Sequence, residues 1–206
     1  MNAALAMSLV AFAFVSSITP GPNNIMLMSS GATYGFRLTL PHLMGVVCGF
    51  GAMVLLVGLG LASIFAAVPE LHGIIRIVGA VYLLYLAYKI ATSRNTLDKD
   101  ATAQPITFAQ AAMFQWVNPK AWTMIVGAIT AYVPKEDPFQ NVVIVALIFT
   151  IVNLPCVTTW MAFGVGLRGV LKNPAALRAF NITMAILLVL SLYPILREID
   201  LSHPLQ

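Results

Sequence analysis

Six long apolar runs dominate the chain, and two of them are interrupted by polar residues. The runs cover residues 3–33, 38–68, 71–91, 106–133, 139–167 and 174–196. Each run is continuous, whereas the strands of a membrane barrel would alternate polar and apolar residues. A membrane-spanning helix needs about 20 apolar residues. The pattern therefore predicts an all-α integral membrane protein with six transmembrane helices.

The interruptions fall in the first and fourth runs and contain proline. They read Thr19-Pro20-Gly21-Pro22-Asn23-Asn24 and Asn118-Pro119-Lys120. A broken helix persists inside a bilayer only where its freed backbone groups face protein, water or a ligand. Paired broken helices point to a midplane substrate site in secondary transporters, although an ordinary proline kink is the alternative. We therefore predict that the substrate is bound by Pro20, Gly21, Pro22, Asn23, Asn24, Asn118, Pro119 and Lys120.

The most polar connection, residues 92–105, lies near the middle of the chain. It divides a single transporter domain, residues 1–206, into halves of about 1–95 and 104–206 with three spans each. An odd number of crossings makes the second half run opposite to the first. We expect a 3+3 inverted repeat with broken helices 1 and 4.

Composition excludes most soluble functions. Hydrophobic residues make up 60% of the chain and charged residues only 9%, whereas soluble domains carry about 25% charged residues. No basic cluster interleaved with aromatic residues is present, so a nucleic-acid partner is not expected. No catalytic triad, HExxH motif or phosphate loop occurs, and Cys48 and Cys156 are isolated. We expect neither an enzyme nor a cofactor or metal site.

Basic residues near the span ends predict the orientation. The loops after spans one, three and five carry Arg37, Lys89, Arg94, Lys99, Arg168, Lys172 and Arg178, and the opposite side has Arg76, Lys135 and Arg197. The richer side should be cytoplasmic, which puts both termini outside. The GxxxG pairs Gly31–Gly35 and Gly45–Gly49 favour close helix packing, with a homodimer interface as the alternative.

The charges at membrane depth bear on the substrate. All seven carboxylates lie in loops or at span ends, whereas Lys120 lies within an apolar run. The helices that restart near Asn23 and Lys120 can accept a carboxylate at their N-termini. Freed carbonyls, and the amide oxygens of Asn23, Asn24, Asn118 and Asn153, can accept an ammonium group. This combination predicts a small zwitterion, and a cationic substrate would lack a buried carboxylate.

The same residues resemble those of the lysine exporter superfamily, in particular the RhtB-type amino-acid exporters. The resemblance covers the whole chain and is carried by the two interruptions, Gly31, Gly35-Phe36-Arg37 and Lys89-Ile90-Ala91-Thr92-Ser93. It implies proton-driven efflux of amino acids across the inner membrane of bacteria. Within the family, the chain is most similar to the branch that exports neutral substrates such as cysteine, O-acetylserine, homoserine or threonine.

Two other functions stay open from the sequence. One is efflux of cationic amino acids or metal cations, and the other is a non-transporting accessory subunit of the membrane. Proton coupling also lacks the intramembrane acid that antiporters commonly use. It would need His42, a Lys120 that gives up its proton, or the substrate's own protonation, and the alternative is transport without any proton coupling.

Overall fold

A computed structural model describes residues 1–61, 70–93, 104–134 and 137–192, without the side chains of residues 61 and 70–76. Within these ranges every regular element is a helix, as predicted. The seven α-helices are α1 Ala3–Ile18, α2 Pro22–Leu56, α3 Glu70–Ala91, α4 Phe108–Gln115, α5 Pro119–Tyr132, α6 Pro138–Leu167 and α7 Pro174–Leu190, and a short π-helix, Val57–Leu61, extends α2.

Both sequence interruptions are gaps between helices. α1 ends at Ile18 and α2 begins at Pro22, while α4 ends at Gln115 and α5 begins at Pro119. Proline is the first residue of α2 and of α5, a position where its missing N–H is not needed by the helix. The helix before the first gap, α1, has 16 residues, whereas the helix before the second gap, α4, has 8. The two gaps therefore lie at different distances from the start of their helical segments.

α2 changes direction at Gly35, where we predicted a loop between the first two spans. Gly35 has φ 78°, a left-handed value that favours glycine. Ser30 Oγ lies 2.9 Å from His42 Nδ1, although 12 residues of straight helix would span about 18 Å. Residues 22–34 and 36–61 therefore lie side by side.

α2 packs against α4, α6 and α7, and α6 also packs against α1. α1 runs parallel to α6, because Phe12 contacts Phe149 and Trp160 reaches the carbonyl of Ile18. The second part of α2 runs antiparallel to it, with Gly51 next to Thr150. The GxxxG glycines pack within the chain: Gly31 faces the backbone of α6, and Gly45 and Gly49 face α4.

Two apolar clusters form the core, one on either side of the helix gaps. The first contains Met26, Leu86 and Leu188 and joins α2, α3 and α7. The second contains Leu9 and Phe149 and joins α1, α5 and α6. Each gap thus lies between a helix that packs in one cluster and a helix that packs in the other.

In the part of the chain that the structure describes, two helices are apolar and long enough to cross a membrane, Pro22–Gly60 and Pro138–Leu167. The first of these is the helix that turns at Gly35. Shorter apolar helices are Ala3–Ile18, Ile77–Ala91 and Pro174–Leu190. Of the residues used to predict orientation, Arg94, Lys99, Lys135 and Arg197 lie outside the described residues, as does most of the polar connection 92–105.

Candidate functional site

The two helix gaps meet each other in the folded chain. The Lys120 ammonium donates hydrogen bonds to the Thr19 carbonyl oxygen, to Thr19 Oγ1 at 3.0 Å and to the Pro20 carbonyl oxygen at 3.4 Å. Asn23 and Gln115 exchange two side-chain hydrogen bonds, of 2.8 and 3.1 Å. Residues about 100 positions apart are thereby brought into a single site.

The carbonyls at the end of α1 all accept hydrogen bonds from the protein. Asn24 Nδ2 donates to the carbonyls of Ser17 (3.0 Å) and Thr19 (2.8 Å), and Trp160 Nε1 donates to that of Ile18 (3.0 Å). Lys120 completes the set at Thr19 and Pro20. We expected these carbonyls to be open to a substrate ammonium, but in this conformation the protein's own donors occupy them.

Lys120 occupies the position that we assigned to a substrate ammonium. Its three donors match its three contacts at the first gap, so it links the start of α5 to the end of α1. Its side chain passes over Gly21, where an added Cβ would lie 2.7 Å from Lys120 Cδ. Gly21 has extended backbone that any residue adopts. A larger residue there would therefore require the flexible Lys120 side chain to shift.

The two restarting helices differ at their N-termini. Asn118 caps α5, because its side chain accepts from the Lys120 backbone N–H at 3.1 Å. The N-cap of α2 is Gly21, which has no side chain to cap that helix, and the first turn contains Asn23 and Asn24. Uncapped N–H groups at a helix start attract an anion. Of the two helix starts, that of α2 therefore suits a negatively charged group better.

A small cavity lies between the two gaps. It offers about 20 Å³ to the centres of water-sized molecules, which is room for about one water. Its described lining contains no carboxylate and consists of Ser16, Ser17, Gly21, Asn23, Asn24, Phe50, Asn118, Lys120, Ala121, Met124, Asn153 and Val157. The site is closed in this conformation, and an amino acid requires the helices to separate.

Six of the nine predicted residues line this cavity. They are Gly21, Asn23, Asn24, Asn118, Lys120 and Asn153. Pro20, Pro22 and Pro119 are not in the lining, and they instead shape the two gaps. Asn153 lies in α6, 5% exposed, which brings the fifth predicted span into the site.

Several residues of the site were not predicted, and among them Gln115 and Ser17 are polar and buried. Gln115 is fully buried, and its side chain bonds both Asn23 and the Ala111 carbonyl. Ser17 is 4% exposed, and its hydroxyl has no partner in the described part of the chain. The sequence did contain a sign that Gln115 belongs to the site, because it is an uncharged polar residue within an apolar run and lies three positions before the second interruption.

His42, the other residue considered for proton coupling, lies outside the cavity. It is fully buried where the two parts of α2 face each other, and its Nε2 has no partner among the described residues. Nearby, Asn181 of α7 joins Ser29 and Thr33 in a buried hydrogen-bond network. These polar groups are a second feature of the interior, separate from the helix gaps.

Comparison with known proteins identifies relatives along most of the chain. Residues 14–191 match the family model described as LysE type translocator. The cysteine/O-acetylserine efflux protein of Salmonella typhimurium is 31% identical over 180 residues, which are 86% of this chain and 90% of that protein. Proteins of the same name from Escherichia coli K12 and Salmonella paratyphi A are 31% and 30% identical over the same shares. No solved structure matches the chain.

Proposed function

Because this chain belongs to the LysE family of translocators, we propose that it exports neutral amino acids of the cysteine and O-acetylserine class from the bacterial cytoplasm. The observation that carries the proposal is the convergence of two helix gaps on one polar cavity. The relatives named as cysteine/O-acetylserine efflux proteins supply the substrate class.

The chemistry of the cavity favours a zwitterion. The uncapped start of α2 suits a carboxylate, and the carbonyls of Thr19 and Pro20 suit an ammonium group. A lysine or arginine substrate would bring a second positive charge, and the described lining has no carboxylate to pair with it. A divalent metal ion would also want carboxylate oxygens.

Transport requires the Lys120 link to open. In the closed conformation Lys120 holds α1 to α5 through Thr19 and Pro20. A substrate ammonium that binds the same carbonyls replaces one cation with another, so the site remains electrically balanced while the helices separate. Substrate binding and release of Lys120 are thereby coupled, which is the basis for alternating access in this site.

Six membrane crossings follow if each gap belongs to a single broken span. α1 and residues 22–34 form the first, and α4 and α5 form the fourth. Residues 36–61, α3, α6 and α7 supply the others. Each half, 1–95 and 104–206, then has three crossings and runs opposite to its partner. The chain is a single domain in the inner membrane with both termini outside, which reporter fusions at the termini would test.

Proton coupling rests on Lys120 and His42. Both side chains can carry a proton, His42 is fully buried, and Lys120 lines the substrate cavity. Efflux driven by protons should slow when a protonophore collapses the gradient at constant internal substrate. Efflux that ignores the gradient would point to uncoupled export.

The direct test is amino-acid profiling of the medium around bacteria that overexpress the chain. The controls are an empty vector and the Lys120→Met variant at equal membrane level, all loaded with mixed dipeptides. Selective accumulation of cysteine, O-acetylserine or similar neutral amino acids supports the proposal. Accumulation of lysine or arginine alone, or increased metal resistance alone, would favour export of cations. No accumulation with the protein verified in the membrane would favour an accessory subunit.

A further inference from the structure

The Ser17 hydroxyl is a buried polar group for which the protein supplies no partner. Ser17 lies in the last turn of α1 and lines the cavity. Its Oγ makes no hydrogen bond within the described residues, and the residue is 4% exposed. Buried side-chain polar atoms are nearly always hydrogen-bonded, so an exception calls for a reason.

Other hydroxyls on these helices bond to their own backbone. Ser16 Oγ donates to the Phe12 carbonyl at 2.6 Å, and Thr150 Oγ1 donates to the Ala146 carbonyl at 2.7 Å. This bond to the carbonyl four residues earlier is the usual solution for serine and threonine in helices. For Ser17 the corresponding carbonyl belongs to Ala13, and Ser16 Oγ already donates to it at 3.2 Å. The Ser17 hydroxyl is therefore available to a ligand.

The remaining cavity wall combines a polar side chain with apolar surface. Asn153 of α6 is 5% exposed and lines the same cavity. Phe50, Met124 and Val157 supply apolar surface to the same cavity. A pocket that offers hydrogen bonds to a substrate hydroxyl discriminates strongly against the analogue that lacks it.

We propose that Ser17 binds the polar side-chain atom of the exported amino acid and sets the preference for hydroxyl, thiol or ester side chains. The inference rests on the proposed function, in which the α-ammonium and α-carboxylate groups of the substrate are bound at the helix gaps. Ser17 then selects among neutral amino acids of similar size, with Phe50, Met124 and Val157 limiting that size.

The test compares substrates that differ only in the polar atom. Purified full-length protein in liposomes is given cysteine or 2-aminobutyrate, in which a methyl replaces the thiol, and threonine or valine. The measured quantity is the ratio of initial efflux rates, polar over apolar, in each pair. Ser17→Ala removes the hydroxyl, and Thr158→Val is the matched control because the Thr158 hydroxyl bonds its own helix and lies outside the cavity lining.

We expect Ser17→Ala to lower both ratios by about fivefold to tenfold, as loss of one hydrogen bond to substrate would. Thr158→Val should keep the ratios of the unaltered protein, and Ser17→Cys, with a weaker donor, should give intermediate ones. Unchanged ratios in Ser17→Ala, or an equal fall in the rates of polar and apolar substrates, would overturn the inference. If the unaltered protein moves no amino acid, the proposed function itself fails, and the role of Ser17 fails with it.

Discussion

Replacement of Lys120 by methionine separates a role in transport from a role in stability. The change removes the ammonium group and keeps an unbranched side chain of similar length over Gly21. The Thr19 carbonyl retains its bond from Asn24 at 2.8 Å, whereas the described residues offer the Pro20 carbonyl no donor other than Lys120. One carbonyl without a partner costs about 1–3 kcal/mol.

The loss is offset because a lysine inside the membrane is itself unfavourable. Insertion scales give a cost of about 2.5–3.5 kcal/mol for a lysine at the centre of a membrane-spanning helix. The cost is smaller here because Lys120 is only half-buried. The two contributions nearly cancel, so the net change in the free energy of unfolding should stay within about 2 kcal/mol. For a chain of this size that is a shift of less than about 8 °C in melting temperature.

Transport by Lys120→Met should nevertheless fall at least tenfold, because the cation that exchanges with the substrate ammonium is gone. The assay pairs efflux of cysteine and O-acetylserine from loaded cells with thermal unfolding of the purified variant. Lys172→Met, which removes an exposed loop lysine, is the control and should export like the unaltered protein. Export at the full rate by Lys120→Met would refute the exchange mechanism, and failure to fold would refute the stability estimate.

Two further substitutions test the packing and the first gap. Gly164→Ala should strongly reduce the amount of folded protein in the membrane, because an added Cβ would overlap the backbone of Met28. Gly166→Ala is the control and should be tolerated, because an added Cβ there meets open space. Equal levels of the two variants would contradict the packing of α2 on α6. Asn24→Leu should lower the melting temperature by several degrees, because the buried Ser17 carbonyl loses its donor, whereas the Thr19 carbonyl keeps its bond from Lys120. Thermal unfolding in detergent measures this, and an unchanged midpoint would mean that water replaces the amide.

The helix gaps were predictable because proline and glycine act locally. Pro22 and Pro119 each favour the start of a helix through their own backbone geometry. The asparagines beside them would find few other hydrogen-bonding partners inside a membrane. Helical structure likewise follows from the continuous apolar runs. The turn at Gly35 was expected only as a loop, since its left-handed backbone value depends on how the two parts of α2 pack.

The partners within the site were not predictable from sequence alone. Ser16 and Ser17 are identical neighbours, and only the rotation of α1 decides which hydroxyl bonds the helix and which faces the cavity. Lys120 was expected to meet a substrate, but its partner in the closed conformation is the first gap, about 100 residues away. Such pairings depend on tertiary contacts that no local pattern encodes.

The most direct measurement of the central claim is efflux of labelled O-acetylserine and cysteine from liposomes that contain only the purified chain. The account predicts faster efflux than from protein-free liposomes, competition by other small neutral amino acids, and no acceleration of lysine efflux. Equal rates with and without the protein, or acceleration of lysine alone, would contradict it.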